Sequence, residues 1–149
     1  MGMFNLASRI APHIAAEIDL GGRRRLLDLA GGPGTYAIHF CKKNPELSAV
    51  VYDLPTTRPF AEQTVERFAL ADRIAFIAGD IIDDPTGSDF DVGWISFFLL
   101  HSEGPETCAA IVAKTVAALN DGGLLLIQDS FLRTAEPRRS IQPSSRSTC

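Results

Sequence analysis

Five short apolar runs constrain this chain most: Leu26–Leu29, Ser48–Tyr52, Ile74–Ala78, Phe90–Ser96 and Leu124–Gln128. Each has the length of a strand. Helix-length stretches lie after the first, second and fourth, at Thr35–Lys43, Thr57–Ala71 and Glu103–Leu119. Strands joined by helices are crossover-connected and therefore parallel. Near-continuous apolar runs fit strands covered on both faces. The pattern predicts an α/β fold, a Rossmann-like doubly wound and mostly parallel sheet of about five strands. A further helix is predicted over Phe4–Leu20, on an Ile10, Ile14 and Ile18 stripe, with a break near Ala11 forced by Pro12. Phe60, Val65 and Phe68 are expected to face inward from the third helix. Cys108, Ile111, Val112, Thr115 and Val116 form the apolar face of the last.

A chain of 149 residues is one domain by size. Its net charge of -4 conceals an asymmetry, because Arg133, Arg138, Arg139 and Arg146 oppose only Glu136 near the C-terminus. The remainder holds ten basic and seventeen acidic residues. Such a surface lacks the basic stripe that nucleic acid requires. Arg23–Arg25 is the one basic run and reads as a solvated loop. No stretch has membrane-spanning length, and no secretory signal precedes the first strand. Cys41, Cys108 and Cys149 are widely spaced, with no C-x-x-C. They read as free thiols of a cytoplasmic protein, with no zinc or other metal site.

In open parallel sheets ligands bind beyond the carboxyl ends of the strands, where strand order reverses. The residues at those ends are Asp28 with a glycine loop, Asp53, Asp80, His101 shortly after the fourth run, and Asp129. The loop, Gly32-Pro33-Gly34-Thr35-Tyr36-Ala37, fits G-x-G-x-x-G/A, and Asp53 follows Gly32 by 21 residues. That spacing suits an acid that accepts from ribose hydroxyls. It serves both nicotinamide dinucleotides and S-adenosylmethionine. Asp28 tilts the balance, since a carboxylate beside a pyrophosphate is repelled, whereas a ligand bearing a sulfonium and an ammonium is attracted. Asp28 would hold the methionyl ammonium, directly or through water. Asp53 would hold the ribose, Asp80 the adenine amino group, and Ile81 an apolar face of the ring.

LLDLAGGPGTYA, VVYDLP, AGDIIDDP, LLHSEGPETC and LNDGGLLLIQDSFL resemble, in order and spacing, motifs of the class I S-adenosylmethionine-dependent O-methyltransferases of the caffeate, hydroxyindole and isoflavone type. The resemblance spans about residues 3–133 and implies an S-adenosylmethionine-binding methyltransferase domain over 1–133. It implies Gly32 and Gly34 as shapers of the cofactor loop and Asp53, Asp80 and Ile81 as nucleoside contacts. His101 matches the family's catalytic base, and Asp129 one of two acids that steer it. The chemistry is coherent by itself. A phenol titrates near 10 and histidine near 6.5, so histidine is a competent base at neutral pH and gains a charge that a carboxylate stabilises. The implied reaction is methyl transfer from S-adenosylmethionine to the hydroxyl of a small phenol-like acceptor, with no nucleic-acid or membrane partner. A nicotinamide-dependent oxidoreductase domain is one rival; a non-catalytic remnant of a methyltransferase is another.

The chain departs from the family pattern at Ala30, where the loop's first glycine is expected, and at His101-Ser102-Glu103, where His-Asp-Trp is usual. Phe97 stands where some members place a lysine near the adenine. The family's N-terminal dimerisation domain and its last two strands are expected to be absent, so the fold is an incomplete methyltransferase fold and Leu124–Ile127 an exposed apolar edge. Residues 134–149, rich in Pro, Ser and Arg, read as disordered. One codon choice for Ser140–Cys149, read two nucleotides on, gives the apolar HSALFALNM, as expected of a shifted reading frame.

Overall fold

The computed structural model describes residues 2–96 and 104–129, with side chains from Ala7 onward. The elements are α1 (Gly2–Glu17), β1 (Arg25–Leu29), α2 (Thr35–Lys43), β2 (Ser48–Asp53), a 3-10 turn at Pro55–Thr57, α3 (Arg58–Arg67), β3 (Ile74–Ala78), β4 (Phe90–Ser96), α4 (Pro105–Ala117) and β5 (Leu119–Gln128). All strands pair in parallel, in the order β3-β2-β1-β4-β5. The chain winds outward from β1 through β2 to β3, then returns to the other side of β1. The expected doubly wound sheet is therefore present, with its reversal between β1 and β4.

Alternation along β1 sorts the core into two layers. Leu26 packs with Val51, Val92 and Trp94 beneath Ala11 and Ala15 of α1, Ala37, Phe40 and Cys41 of α2 and Val65 of α3. Leu27 and Leu29 face the other way, with Tyr52, Ile95 and Ile81 against Cys108 and Ile111 of α4. Side chains in the first layer include the tilted pair Tyr36–Trp94, 4.9 Å between centroids, and the edge-on pair Phe40–Trp94 at 5.1 Å.

Several local expectations fail for identifiable reasons. α1 runs through Pro12 without a break. Pro12 and Ser8 are both exposed, so the carbonyl that proline leaves unbonded faces water. The buried stripe of α1 is Ala11 and Ala15, with Ile14 and Ile18 only packed against its edge. Ala residues let α1 approach α2 closely. α3 stops at Arg67 rather than Ala71, because Ala69 turns into the left-handed region at φ 59°. Its inward residues are Ala61 and Val65, while Phe60 and Phe68 are 65% and 40% exposed. On α4, Cys108, Ile111 and Thr115 are buried and Val116 points outward.

Arg23–Arg25 is solvent-accessible, with Arg24 exposed as expected, but it is bonded rather than loose. It joins the amino ends of β1, β4 and β5. The backbone N–H groups of Arg24 and Arg25 donate to Asp91 Oδ2 at 2.8 and 3.1 Å, and Arg23 Nη1 reaches the carbonyls of Asp91 and Gly122. Asn120 Nδ2 donates to the other Asp91 oxygen at 3.0 Å. These bonds hold an irregular start of β5, whose register shifts between Phe90 and Val92. They also hold the Asp91 carboxyl below the usual carboxylate range, the Asn120 bond contributing most. Among the described residues β5 pairs with β4 alone, and Ile127 is 43% exposed there. Cys41 is a buried free thiol, whereas Cys108 is disulfide-bonded, so the reading of all three cysteines as thiols does not hold.

Arg73, just before β3, closes the other flank. Its guanidinium donates to the carbonyls of Cys41, Asn44 and Leu47 at 2.9, 2.6 and 2.6 Å, gathering the end of α2 onto the start of β2. Arg73→Met leaves these carbonyls without their charged donor. It is expected to cost about 2 kcal/mol, read as a lower urea midpoint with an unchanged slope.

Candidate cofactor site

β1, β2 and β3 deliver Asp28, Asp53 and the Gly79–Asp80 pair to one edge of the sheet. The link between them is backbone to side chain. Gly32 N–H donates to Asp53 Oδ2 at 2.8 Å, and Leu54 N–H to Asp53 Oδ1 at 2.7 Å. Asp53 thus holds the glycine loop against the end of β2. A carboxylate has about four lone-pair sites, so each oxygen keeps capacity for one more donor, as a pair of vicinal hydroxyls would supply.

The loop owes its shape to backbone torsions that side chains resist. Ala30, Gly32 and Gly34 sit at φ 57°, 58° and 85°. The position of the family's first glycine is therefore occupied by an alanine in left-handed conformation, at a cost of about 1 kcal/mol. A Cβ on Gly32 would face open space, so that glycine leaves its backbone bare on an open side of the loop. Gly31, which the sequence reading passed over, has the opposite reason. A Cβ there would lie 2.6 Å from Asp28 Cγ. The loop is folded directly over the Asp28 side chain.

Asp28 is consequently buried, 1% exposed, and neither carboxylate oxygen has a hydrogen-bond partner. Burial pushes its carboxyl up to about 8, with the Ala37 amide at the start of α2 pulling downward and Asp53 adding to the rise. That amide faces the carboxyl without reaching hydrogen-bond geometry. Beside it, Thr35 Oγ1, Tyr36 Oη, Trp94 Nε1 and Gln128 Oε1 are likewise buried and unpartnered. Burial and the Asp28 charge raise the Tyr36 phenol to about 12, with Gln128 opposing. The orphaned acceptors among these atoms, Asp28 and Gln128 Oε1 foremost, form an environment that a cationic, hydrogen-bond-donating ligand would suit.

The remaining positions divide. Asp80 is exposed and spends Oδ1 on the amides of Ile82 and Asp83, at 2.8 and 3.2 Å. Gly79 is required by Tyr52, whose hydroxyl occupies the space a Cβ would need. Ile81 is 6% exposed and packs into the core layer below α4, whereas Ile82 is 55% exposed. Asp129 follows the last residue of β5 at the same carboxyl edge. His101 and Phe97 lie outside the described residues. Sequence spacing found Asp28, Asp53 and Asp80. It gave no signal for Tyr36, Trp94 or Gln128, which share the site through the register of three strands and the first turn of α2.

A doubly wound sheet with an acid-tied glycine loop at its reversal point defines a nucleoside-cofactor fold. Comparison with known proteins names the family. Residues 1–146 match the O-methyltransferase domain family, and the chain belongs to it. The chain is 34% identical over 128 residues to the 3-hydroxy-5-methyl-1-naphthoate 3-O-methyltransferase of Streptomyces sahachiroi, covering 86% of this chain and 37% of that one. It is 31% identical over 122 residues to the L-tyrosine C(3)-methyltransferase of Streptomyces lavendulae, covering 80% and 32%. Among solved structures, the O-methyltransferase family 2 protein of Planctomyces limnophilus, in complex with apigenin, superposes with a TM-score of 0.73 at 32% identity, covering 83% and 40%. The chain thus spans about a third to two fifths of the length of these relatives. No finding favours the oxidoreductase alternative. Among the described residues no helix is long and apolar enough to cross a membrane.

The buried carboxyl has a sign that can be measured. Its folded pKa of about 8 exceeds the ordinary 3.8, so between those values the folded chain binds more protons than the unfolded one. Stability therefore falls as pH rises through that window. Asp28→Asn is expected to raise the thermal midpoint at pH 8 and to leave it nearly unchanged at pH 4. A scanning-calorimetry series across that range checks both.

Proposed function

We propose that the carboxyl edge binds S-adenosylmethionine and that the protein transfers its methyl group to the hydroxyl of a small, phenol-like acceptor. The observation that carries this reading is the Asp53–Gly32 tie at 2.8 Å above the buried, unpartnered Asp28. The residues present fit the cofactor. Asp53 retains lone pairs for both ribose hydroxyls, and the open side of Gly32 admits the ligand's backbone. Asp28 offers a carboxyl that a methionyl ammonium nearby would draw back into its charged form, and its depth makes contact through water or the loop the simplest route. A pyrophosphate in the same place would meet Asp28 and Asp53 with no lysine or arginine in residues 28–34 to offset them. When bound, S-adenosylmethionine supplies a methyl carbon activated by a neighbouring sulfonium.

His101 is assigned the acceptor's proton, and Asp129 the task of orienting the imidazole and stabilising the charge it gains. The names of two relatives support an aromatic acceptor: one is a 3-O-methyltransferase of 3-hydroxy-5-methyl-1-naphthoate, another a C(3)-methyltransferase of L-tyrosine. The hydroxyl is favoured here because the matching family is that of O-methyltransferase domains.

Isothermal titration of the chain with S-adenosylhomocysteine and with NAD tests the cofactor. S-adenosylhomocysteine is expected to bind and NAD to give no heat; the reverse result ends the proposal. Asp53→Asn removes the charge that accepts the ribose hydroxyls and should weaken S-adenosylhomocysteine about tenfold or more. His101→Ala should abolish methyl transfer to a hydroxynaphthoate while leaving that affinity within about twofold, because the base contacts the acceptor rather than the nucleoside.

A further inference from the structure

One lysine of α4 turns its ammonium into the connection that follows β3. Lys114 Nζ lies 2.6 Å from the carbonyl oxygen of Ile81, 3.2 Å from that of Ile82 and 2.5 Å from that of Asp84. An ammonium has three N–H donors, and these three acceptors engage all of them. The same segment is also bonded to itself. Asp80 N–H donates to Asp84 Oδ2 at 2.8 Å, Asp84 N–H to the Asp80 carbonyl at 2.9 Å, and the amides of Ile82 and Asp83 to Asp80 Oδ1.

The self-bonded turn has an electrostatic problem. It draws three carbonyl oxygens together within a segment that also carries the carboxylates of Asp80, Asp83 and Asp84. Negative ends gathered in this way repel unless a cation lies among them. Lys114 is that cation. Ile81, packed against Ile111 one turn earlier on α4, supplies an apolar anchor beside the charged one. With the carbonyls drawn toward α4, Asp80 Oδ2 stays out of every bond within the turn, and the Asp80 side chain remains exposed at the carboxyl edge.

We propose that Lys114 is a positioning residue for nucleobase recognition, holding residues 80–84 in the one shape that presents Asp80 to the exocyclic amino group of adenine. The inference rests on the cofactor reading above and deepens it. Lys114 touches neither cofactor nor acceptor; it acts through the carbonyls it gathers.

The test separates base reading from general affinity. The 149-residue chain is titrated with S-adenosylhomocysteine and with S-inosylhomocysteine, in which a carbonyl oxygen replaces the exocyclic amine. The wild-type chain is expected to prefer the adenine compound. Lys114→Met should reduce that preference about tenfold, mainly by weakening the adenine compound. A purely structural role would weaken both ligands by the same factor, and an unchanged preference overturns the assignment of Lys114 while leaving the cofactor reading intact. Wild-type protein that binds neither compound overturns the cofactor reading and this inference with it. Should Lys114→Met not fold, Lys114→Gln carries the comparison. Its uncharged amide can serve two of the three carbonyls, so the expected loss of preference is about threefold, and an unchanged preference is again decisive against Lys114.

Discussion

The central position of β1 governs everything else in this chain. It is paired on both edges, with β2 on one side and β4 on the other, and covered on both faces. Because α2 and α4 cover opposite faces of the sheet, β1 and β4 flank the point where strand order reverses, the place at which such sheets bind ligands. The glycine loop, the Asp53 tie and the first turn of α2 all follow from what the chain must do on leaving that one strand. Were β1 at an edge, the same residues would close an ordinary turn.

Within this frame the site is held at a cost to stability. A carboxyl kept in the core without a hydrogen bond opposes folding in the pH range where proteins work. Natural cores seldom keep such a group unless a ligand repays it. Ala30 adds backbone strain at the same loop. Both penalties lie at the carboxyl edge, whereas the amino edge is fully bonded through Asp91, Arg23 and Arg25. The molecule is therefore well satisfied at its amino edge and frustrated at its carboxyl edge.

The charges illustrate how much a sequence conceals. Arg23–Arg25 and Arg73 look like surface residues, and Lys114 like one more solvated residue on an amphipathic helix. In the fold Arg23, Arg25, Arg73 and Lys114 direct their cationic groups at backbone carbonyls of distant segments. Exposed ion pairs such as Arg24–Glu46 contribute little by comparison, since water screens them. Charge at neutral carbonyls, partly sheltered, is what fastens the loops of this domain to its helices.

The sequence by itself determined the alternation of strands and helices, and hence the parallel sheet. It also placed Asp28, Asp53 and Asp80 at strand ends, because strand length and apolar content are local properties of the chain. It was wrong about Pro12 and about Phe60 and Phe68, and it missed the bonds of the basic run. In each case the outcome depended on which side faced solvent, and that is set by neighbours remote in sequence. Only the tertiary structure decided that Gly31 must be bare because Asp28 lies beneath it, and that Tyr36, Trp94 and Gln128 share one buried layer. The same holds for Lys114, which closes on a turn thirty residues away. Contacts of this kind arise from register between strands and from packing across a sheet, and no spacing within a single segment encodes them.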